Sequence, residues 1–349
     1  MLENIRDYFK FDDNYVKTTR LPSMPIIDDK SDFVSNVTIA IPVYERTEFF
    51  HEALSSSINQ TVKCKIIVID NASSHNYFKD YITKLGNPDI KYYRNNENIG
   101  MVGNWNRCIQ LCESSYISIL HDDDVLHPQF IEFAVSKMGK NCEVLSVKYI
   151  IGENVSESFL SSDLLRFSEP YKYITPKDFI LGNFIAFPGV IFPKKLALML
   201  GGFNDYYFPC SDYDFWIRLS DNVKFLRSLR PMAFYRTWNK QNTNHLYPIM
   251  IVKQFEVAKK ISIYNNLFFK YLFYHQLYLA DKHLRDKLVN VEQIDKVYDS
   301  KFPFFRTFIF IDNICKHKYI GFIYRLIIFA LLTCVRKIFT LHNRKSGGK

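Results

Sequence analysis

Val37–Val43 reads VTIAIPV and Lys65–Asp70 reads KIIVID, two short apolar runs that each lead into a polar turn. Runs of this length, rich in Val and Ile, suit strands buried on both faces. Two more follow at 90–94 (IKYYR) and 116–120 (YISIL). Residues 47–60 lie between the first pair and carry Phe50, Leu54 and Ile58 at helical spacing. Residues 100–112 lie between the last pair, with Trp105, Cys108, Ile109 and Cys112 on one face. Buried strands alternating with helices predict an α/β fold with a mainly parallel sheet. Beyond residue 140 the alternation weakens: 144–151 and 187–192 read as strands around a loop-rich stretch, and 249–297 reads as helical and aromatic.

Hydrophobic residues make up 48% of the 349, enough for a packed core, so wholesale disorder is excluded. The net charge of +9 sits at one end. Eight Lys and Arg follow Asp312 with no acid among them, so residues 1–312 are nearly neutral and do not suit a nucleic acid partner. Within that tail, 319–335 is too short and interrupted for a transmembrane helix. Lys318, Arg325 and Arg336 fall in one helical stripe, which predicts an interfacial helix on an anionic membrane surface. A buried helix closing the body is the alternative. Seven cysteines without a CxxC pair read as buried thiols in a reducing compartment. With no apolar signal core at the N-terminus, the expected location is cytoplasmic, peripheral on the inner face of the membrane.

Ligands of open α/β sheets bind beyond the carboxyl ends of the strands. Here those ends read Pro42-Val43-Tyr44-Glu45-Arg46, Asp70-Asn71-Ala72-Ser73-Ser74 and His121-Asp122-Asp123-Asp124. Three adjacent carboxylates repel one another unless a cation or donors offset them. Mg²⁺ and Mn²⁺ take oxygen ligands and keep positions open for phosphate oxygens. A solvated acidic turn is the plain alternative. Gly100 and Gly103 lack the dinucleotide-binding spacing, and His127 before Pro128 reads as a helix cap or a solvent-facing residue.

Five ordered segments across 36–240 resemble the family 2 glycosyltransferases, inverting enzymes of the GT-A fold: IPVYER, VIDNASS, ENIGMVGNWN, ILHDDDVLHP and GGFNDYYFPCSDYDFWIRL. The resemblance implies a GT-A (Rossmann-like) domain over 37–245, with a nucleotide half at 37–128 and an acceptor half at 129–245. A leader at 1–36 precedes it, and a helical extension at 246–312 and the basic tail at 313–349 follow. It implies donor contacts from Pro42, Tyr44, Arg46, Asp70, Asn98, Gly100, Asn106, Asp122 and Asp123, with Tyr44 against the base and Asp70 on its polar edge. Asp124 is implied as principal ligand of Mn²⁺ or Mg²⁺, with Asp122 beside it. Asp212 is the implied general base, with Ser211 and Trp216 on the acceptor side. The implied partners are a nucleotide-sugar donor, a UDP-sugar by default, and a glycan or lipid-linked acceptor in surface polysaccharide synthesis. Three positions depart from the family pattern. Ser211-Asp212 stands for Glu-Asp, Trp105 replaces the Arg common before the Asn, and Trp238 stands near the place of a metal-site His. Arg107 points about 100° away from Asn106 around a helix, away from phosphate, and His245 reads as a surface residue, with substitution for the metal-site His as the alternative. Two other classes remain open from the sequence: a nucleotidyl- or phosphoryltransferase using the same aspartates with two metals, and a non-catalytic glycan-binding relative.

Overall fold

In the computed structural model the described residues are 13–28, 33–166, 170–238 and scattered positions between 246 and 261. The two opening runs form adjacent central strands whose side chains are buried on both faces. Among the described residues ten strands are present: β1 (Ser23–Ile27), β2 (Val37–Val43), β3 (Lys65–Asp70), β4 (Ile90–Asn95), β5 (Tyr116–Ile119), β6 (Val125–Leu126), β7 (Val144–Gly152), β8 (Tyr171–Ile174), β9 (Val190–Pro193) and β10 (Phe225–Arg236). Their order across the sheet is β1-β4-β3-β2-β5-β9-β7-β10-β6, with β8 also paired to β10. The segment β4-β3-β2-β5 is parallel, and β7 runs parallel to β10; the remaining pairings are antiparallel. The sheet is thus mixed, and its central strands β4-β3-β2-β5 form the parallel α/β core expected from the sequence.

Val37, Ile39, Ile41 and Val43 join one core with Phe50 and Leu54 of the helix Phe50–Ile58, and with Phe78 and Ile82 of the helix Tyr77–Leu85. Ala40, Ile67 and Ile69 alternate to the opposite face, where the helix Met101–Leu111 crosses β2 and β3. Each such fully buried aliphatic side chain contributes roughly 1.5–3 kcal/mol of burial energy. The helix Met101–Leu111 carries the chain from β4 back past β2 to β5, so the direction of winding reverses between β2 and β5. That reversal opens a crevice at the carboxyl ends of the two strands. Pro42 suits the place, because pairing with β5 has already ended at Ala40 and Ile119.

The second half of the sheet brings distant residues to this crevice. β6, which begins directly after Asp124, pairs with Ala233 and Phe234 of β10. β10 shifts register around Pro231, as expected where a donor is missing, and ends at Arg236. The loop before β9 passes so close to β7 and β10 that Gly189 is required. Its φ is +80°, and a Cβ there would lie 2.3 Å from Val147 Cγ2 and 3.0 Å from Ala233 Cβ. Gly189→Ala should therefore cost about 2–4 kcal/mol through left-handed strain plus overpacking, measurable as a lower midpoint in urea denaturation.

The N-terminal segment lies along the body. β1 extends the sheet beside β4, Tyr15 Oη donates to the Ala197 carbonyl at 3.2 Å, and Arg107 donates to the carbonyls of Thr18 and Leu21. Arg107 thus points away from the crevice, as its helical phase predicted. Cys64, Cys108, Cys112, Cys142 and Cys210 are buried. By its contacts the chain divides into a unit of residues 1–176 with 183–244, and a second of 177–182 with 245–349. The whole sheet belongs to the first. The expected helix at 249–297 falls almost entirely, and the tail helix at 319–335, His245, Cys315 and Cys334 entirely, outside the described residues. Among the described residues no helix is long and apolar enough to cross a membrane.

Candidate functional site

Two non-glycine residues in left-handed backbone mark the rim of the crevice: Glu45 (φ 58°) after β2 and Ala72 (φ 64°) after β3. Such conformations persist only where surrounding bonds over-determine them. The Glu45 carboxylate accepts from Ser74 N at 2.7 Å and Ser74 Oγ at 2.9 Å, and Glu45 N donates to Ser73 Oγ at 3.0 Å. This clamp leaves Tyr44 43% exposed at the rim and turns Arg46 toward the aspartates. Asp70 is wholly buried. It accepts from Ser73 N (2.9 Å), Ser73 Oγ (2.6 Å) and Tyr92 Oη (2.7 Å), with Arg94 at 3.6 Å, so it braces the ends of β3 and β4. Asn98 and Gly100 shape the entry to the helix Met101–Leu111. Asn98 Oδ1 accepts from Gly100 N and Asn71 Nδ2, both at 2.8 Å, and Gly100 takes φ +80°.

The aspartate run follows β5 and is almost wholly buried: Asp122 and Asp123 are 5% exposed and Asp124 1%. Arg46 donates to Asp122 Oδ1 and, at 3.0 Å, to Asp123 Oδ2. Trp238 Nε1 donates to the same Asp123 oxygen at 3.2 Å. From beneath, Arg236 donates through Nε to the Asp123 carbonyl at 2.8 Å, and its backbone N–H donates to Asp124 Oδ1 at 3.0 Å. Burial pushes Asp122 up to about 7 despite the Arg46 guanidinium, and burial beside Asp123 raises Asp124 well above the usual carboxylate range. His121 stacks on Trp105 (centroids 5.5 Å, 18°) and packs on Phe187 (4.5 Å). Its burial lowers it to about 4, so the ring is neutral and keeps a lone pair for a ligand.

Asp124 Oδ2 and His121 Nε2 are buried without a hydrogen-bond partner. Orphaned buried polar atoms of this kind call for an unseen ion or water. His121, Asp123 and Asp124 each offer a ligand atom, all within 4.8 Å of one another. One imidazole and two carboxylates form a donor set that suits Mn²⁺ and, less well, Mg²⁺. The residues present therefore fit a divalent ion. The grouping differs from the expected pair of Asp124 with Asp122: the nearer carboxylate partner is Asp123, and Asp122 faces Arg46.

Asp212, expected on the acceptor side, lies in the first turn of the helix Ser211–Asn222 and accepts from Asn183 Nδ2 at 2.8 Å. Burial raises it to about 6, the Asn183 bond opposing. A carboxylate poised near neutrality suits a general base. Asp214, two positions on, is committed elsewhere: Arg218 binds it at 2.7 and 2.9 Å and also donates to the carbonyls of Leu200 and Gly202. Ser211 and Trp216 are wholly buried. Trp216 sits among Phe187, Phe192, Phe203 and Phe215, so it presents no face to an acceptor sugar and instead supports the helix behind Asp212. Phe187 touches both Trp216 and His121, joining the Asp212 helix to the ligand cluster through one ring.

Asn106, expected at the donor, is 1% exposed and binds Phe203 through both atoms of its amide (2.8 and 2.9 Å). It locks the Gly202 turn, where an added Cβ would meet its Oδ1 at 2.5 Å. His127 accepts from Gln129 N at 3.1 Å in the turn before the helix Phe130–Lys137 and is fully buried, so it is neither a side-chain cap of that helix nor solvent-facing. His121 and Arg236 are the residues the sequence reading undervalued. His121 was marked only by adjacency to the aspartates, and Arg236 lies more than a hundred residues from them with no local signal.

The model of the glycosyl transferase family 2 matches residues 38–198. Among curated relatives, an uncharacterized glycosyltransferase of Methanocaldococcus jannaschii is 27% identical over 68% of this chain and 85% of its own length. The hyaluronan synthase of Pasteurella multocida is 25% identical over 68% of this chain, and the chondroitin synthase of the same species is 25% identical over 80%. The matches span 23% and 29% of those two larger synthases. Among solved structures, S. aureus TarS in complex with UDP-GlcNAc superposes with a TM-score of 0.51 at 13% identity, covering 70% of this chain and 79% of that one, a likeness of fold. The family match over residues 38–198, the relatives and the strand-end constellation just described together support a family 2 glycosyltransferase with the GT-A fold.

Proposed function

We propose that this protein is an inverting, divalent-metal-dependent glycosyltransferase that moves a sugar from a nucleoside diphosphate, UDP first among candidates, to a glycan or lipid-linked glycan in surface polysaccharide synthesis. The observation that carries this reading is the convergence of His121 with the buried Asp123 and Asp124, the latter with an Oδ2 atom that has no hydrogen-bond partner, at the reversal between β2 and β5. A bound Mn²⁺ or Mg²⁺ would offset negative charge on the departing diphosphate. Around it, the exposed Tyr44 ring offers a stacking face for the base, and the exposed part of Arg46 lies within reach of phosphate oxygens. Asp212 takes the acceptor hydroxyl proton as that oxygen attacks the anomeric carbon opposite the leaving group, a single displacement that inverts configuration. The likeness to two polysaccharide synthases of Pasteurella multocida favours a glycan acceptor. Against a two-metal phosphoryl transfer, the described residues supply one ligand group of this kind.

The test is thermal unfolding of the purified protein with UDP, dTDP, GDP or CMP, each with Mn²⁺ and with EDTA. A ligand at a hundredfold excess over its Kd adds about 2.7 kcal/mol of stability. One diphosphate should raise Tm with Mn²⁺ and lose that effect in EDTA. A panel with no metal-dependent stabilisation at all would sink the reading.

A further inference from the structure

Two arginines neutralise the aspartate run, and they are held in different ways. Arg236 is 1% exposed and pinned at four points: the carbonyls of Asp123 and Glu153, the Glu52 carboxylate at 2.7 Å, and the Phe49 ring 4.1 Å below its guanidinium. It is a fixed part of the floor. Arg46 has a side chain 31% exposed, over carboxylates that are only 6% and 7% exposed. Among the described residues its guanidinium bonds to Asp122 and Asp123 and lies 5.6 Å from the face of Trp238. Its backbone, by contrast, is fixed by the Glu45–Ser74 clamp, so the side chain pivots from a rigid base.

Asp123 is wanted twice. Its Oδ2 accepts from both Arg46 and Trp238, yet Asp123 is also one of the three groups that converge as metal ligands. A divalent cation and a guanidinium sharing that carboxylate repel each other across a few ångströms in a poorly solvated site. A guanidinium that lets go of two carboxylates has the fork geometry to take two phosphate oxygens in their place.

We propose that Arg46 is a displaceable counter-cation: it neutralises Asp122 and Asp123 in the empty site, yields them when a divalent ion binds, and then holds the diphosphate of the donor. Arg46 is thereby a positioning residue for the acids in one state and a donor ligand in the other. The inference rests on the metal-dependent reading above and assigns the order of events at that site.

The mark of this role is a pair of effects with opposite sign. Mn²⁺ binding without nucleotide, followed by electron paramagnetic resonance of the free ion, should tighten about tenfold or more in Arg46→Met, because a competing charge has gone. UDP binding at saturating Mn²⁺, measured by calorimetry, should weaken about tenfold or more in the same variant, because a charged bidentate contact is lost. Arg46→Lys, which keeps charge without the fork, should leave Mn²⁺ affinity within a few-fold of wild type while still weakening UDP. A merely structural role would weaken both ligands together, and an idle surface residue would change neither; either result overturns the proposal. Wild-type protein that binds no Mn²⁺ would remove the metal-dependent reading first and this inference with it, an outcome distinct from the failure of Arg46 alone.

Discussion

Asp124→Asn should abolish the Mn²⁺-dependent stabilisation by nucleotide and lower transfer by about 10³-fold or more, a loss typical of charge stabilisation removed from a preorganised site. The geometry makes the substitution selective. Asp124 Oδ1 accepts from Arg236 N at 3.0 Å, a bond the amide oxygen of Asn can keep, whereas Oδ2 has no partner and is the atom turned toward His121. Replacing that oxygen by NH₂ puts a donor where a cation needs a lone pair. The fold should not suffer, because burial and Asp123 already disfavour the charged carboxylate, and the neutral amide relieves both. The diagnostic combination is an unchanged or higher Tm without ligand and no response to Mn²⁺ with nucleotide. A variant that still responds to metal would place the ion elsewhere.

Asp212→Asn is the second large expected effect, and it separates chemistry from binding. Removing a general base costs about 10²–10⁴-fold in rate, while donor affinity should stay within a few-fold because Asp212 belongs to the other half of the site. Its carboxyl is raised by burial from 3.8 to about 6. A base must be ionised to act, so the wild-type rate at saturating donor should fall with unit slope below about pH 6. For stability the sign runs the other way. A carboxylate with a raised folded pKa loses stability as pH climbs from about 4 through 6, so the uncharged amide should not lower Tm at pH 7. The amide oxygen introduced by the substitution can also keep the bond from Asn183 Nδ2. Transfer within tenfold of wild type, or a pH profile flat to pH 5, would mean that another group takes the proton. The anomeric configuration of the product, read by NMR, checks the accompanying inversion.

Much of the stretch 37–128 was legible residue by residue. β2 and β3 occupy the spans their apolar runs predict, since a strand buried on both faces writes its own boundaries in composition. The helices Phe50–Ile58 and Met101–Leu111 lie inside the segments marked by helical spacing. The limits of this legibility show at Asn106 and Trp216. Both sit in motifs that point to a ligand, and both turn inward, because a motif records which residue stands where and carries no account of which neighbour satisfies it.

Two of the departures from the family pattern acquire a physical meaning only in three dimensions. Trp105, in place of an arginine, becomes the platform that holds the His121 ring. Trp238, near the place of a histidine, reaches Asp123 as a hydrogen-bond donor and so cannot itself be a ligand there.

By itself the sequence determined the α/β class, the strand ends that form the crevice and the aspartate run that follows β5, because each depends on periodicity or adjacency within a few residues. The tertiary structure alone decided which carboxylate joins His121, which cation is fixed and which is loose, and that Asn106 and Trp216 are framework. Those choices depend on β10 returning past β6 to set Arg236 and Trp238 against Asp123 and Asp124, a contact across more than a hundred residues. Burial and charge at that junction are properties of the assembled neighbourhood, and no local window of the chain contains it.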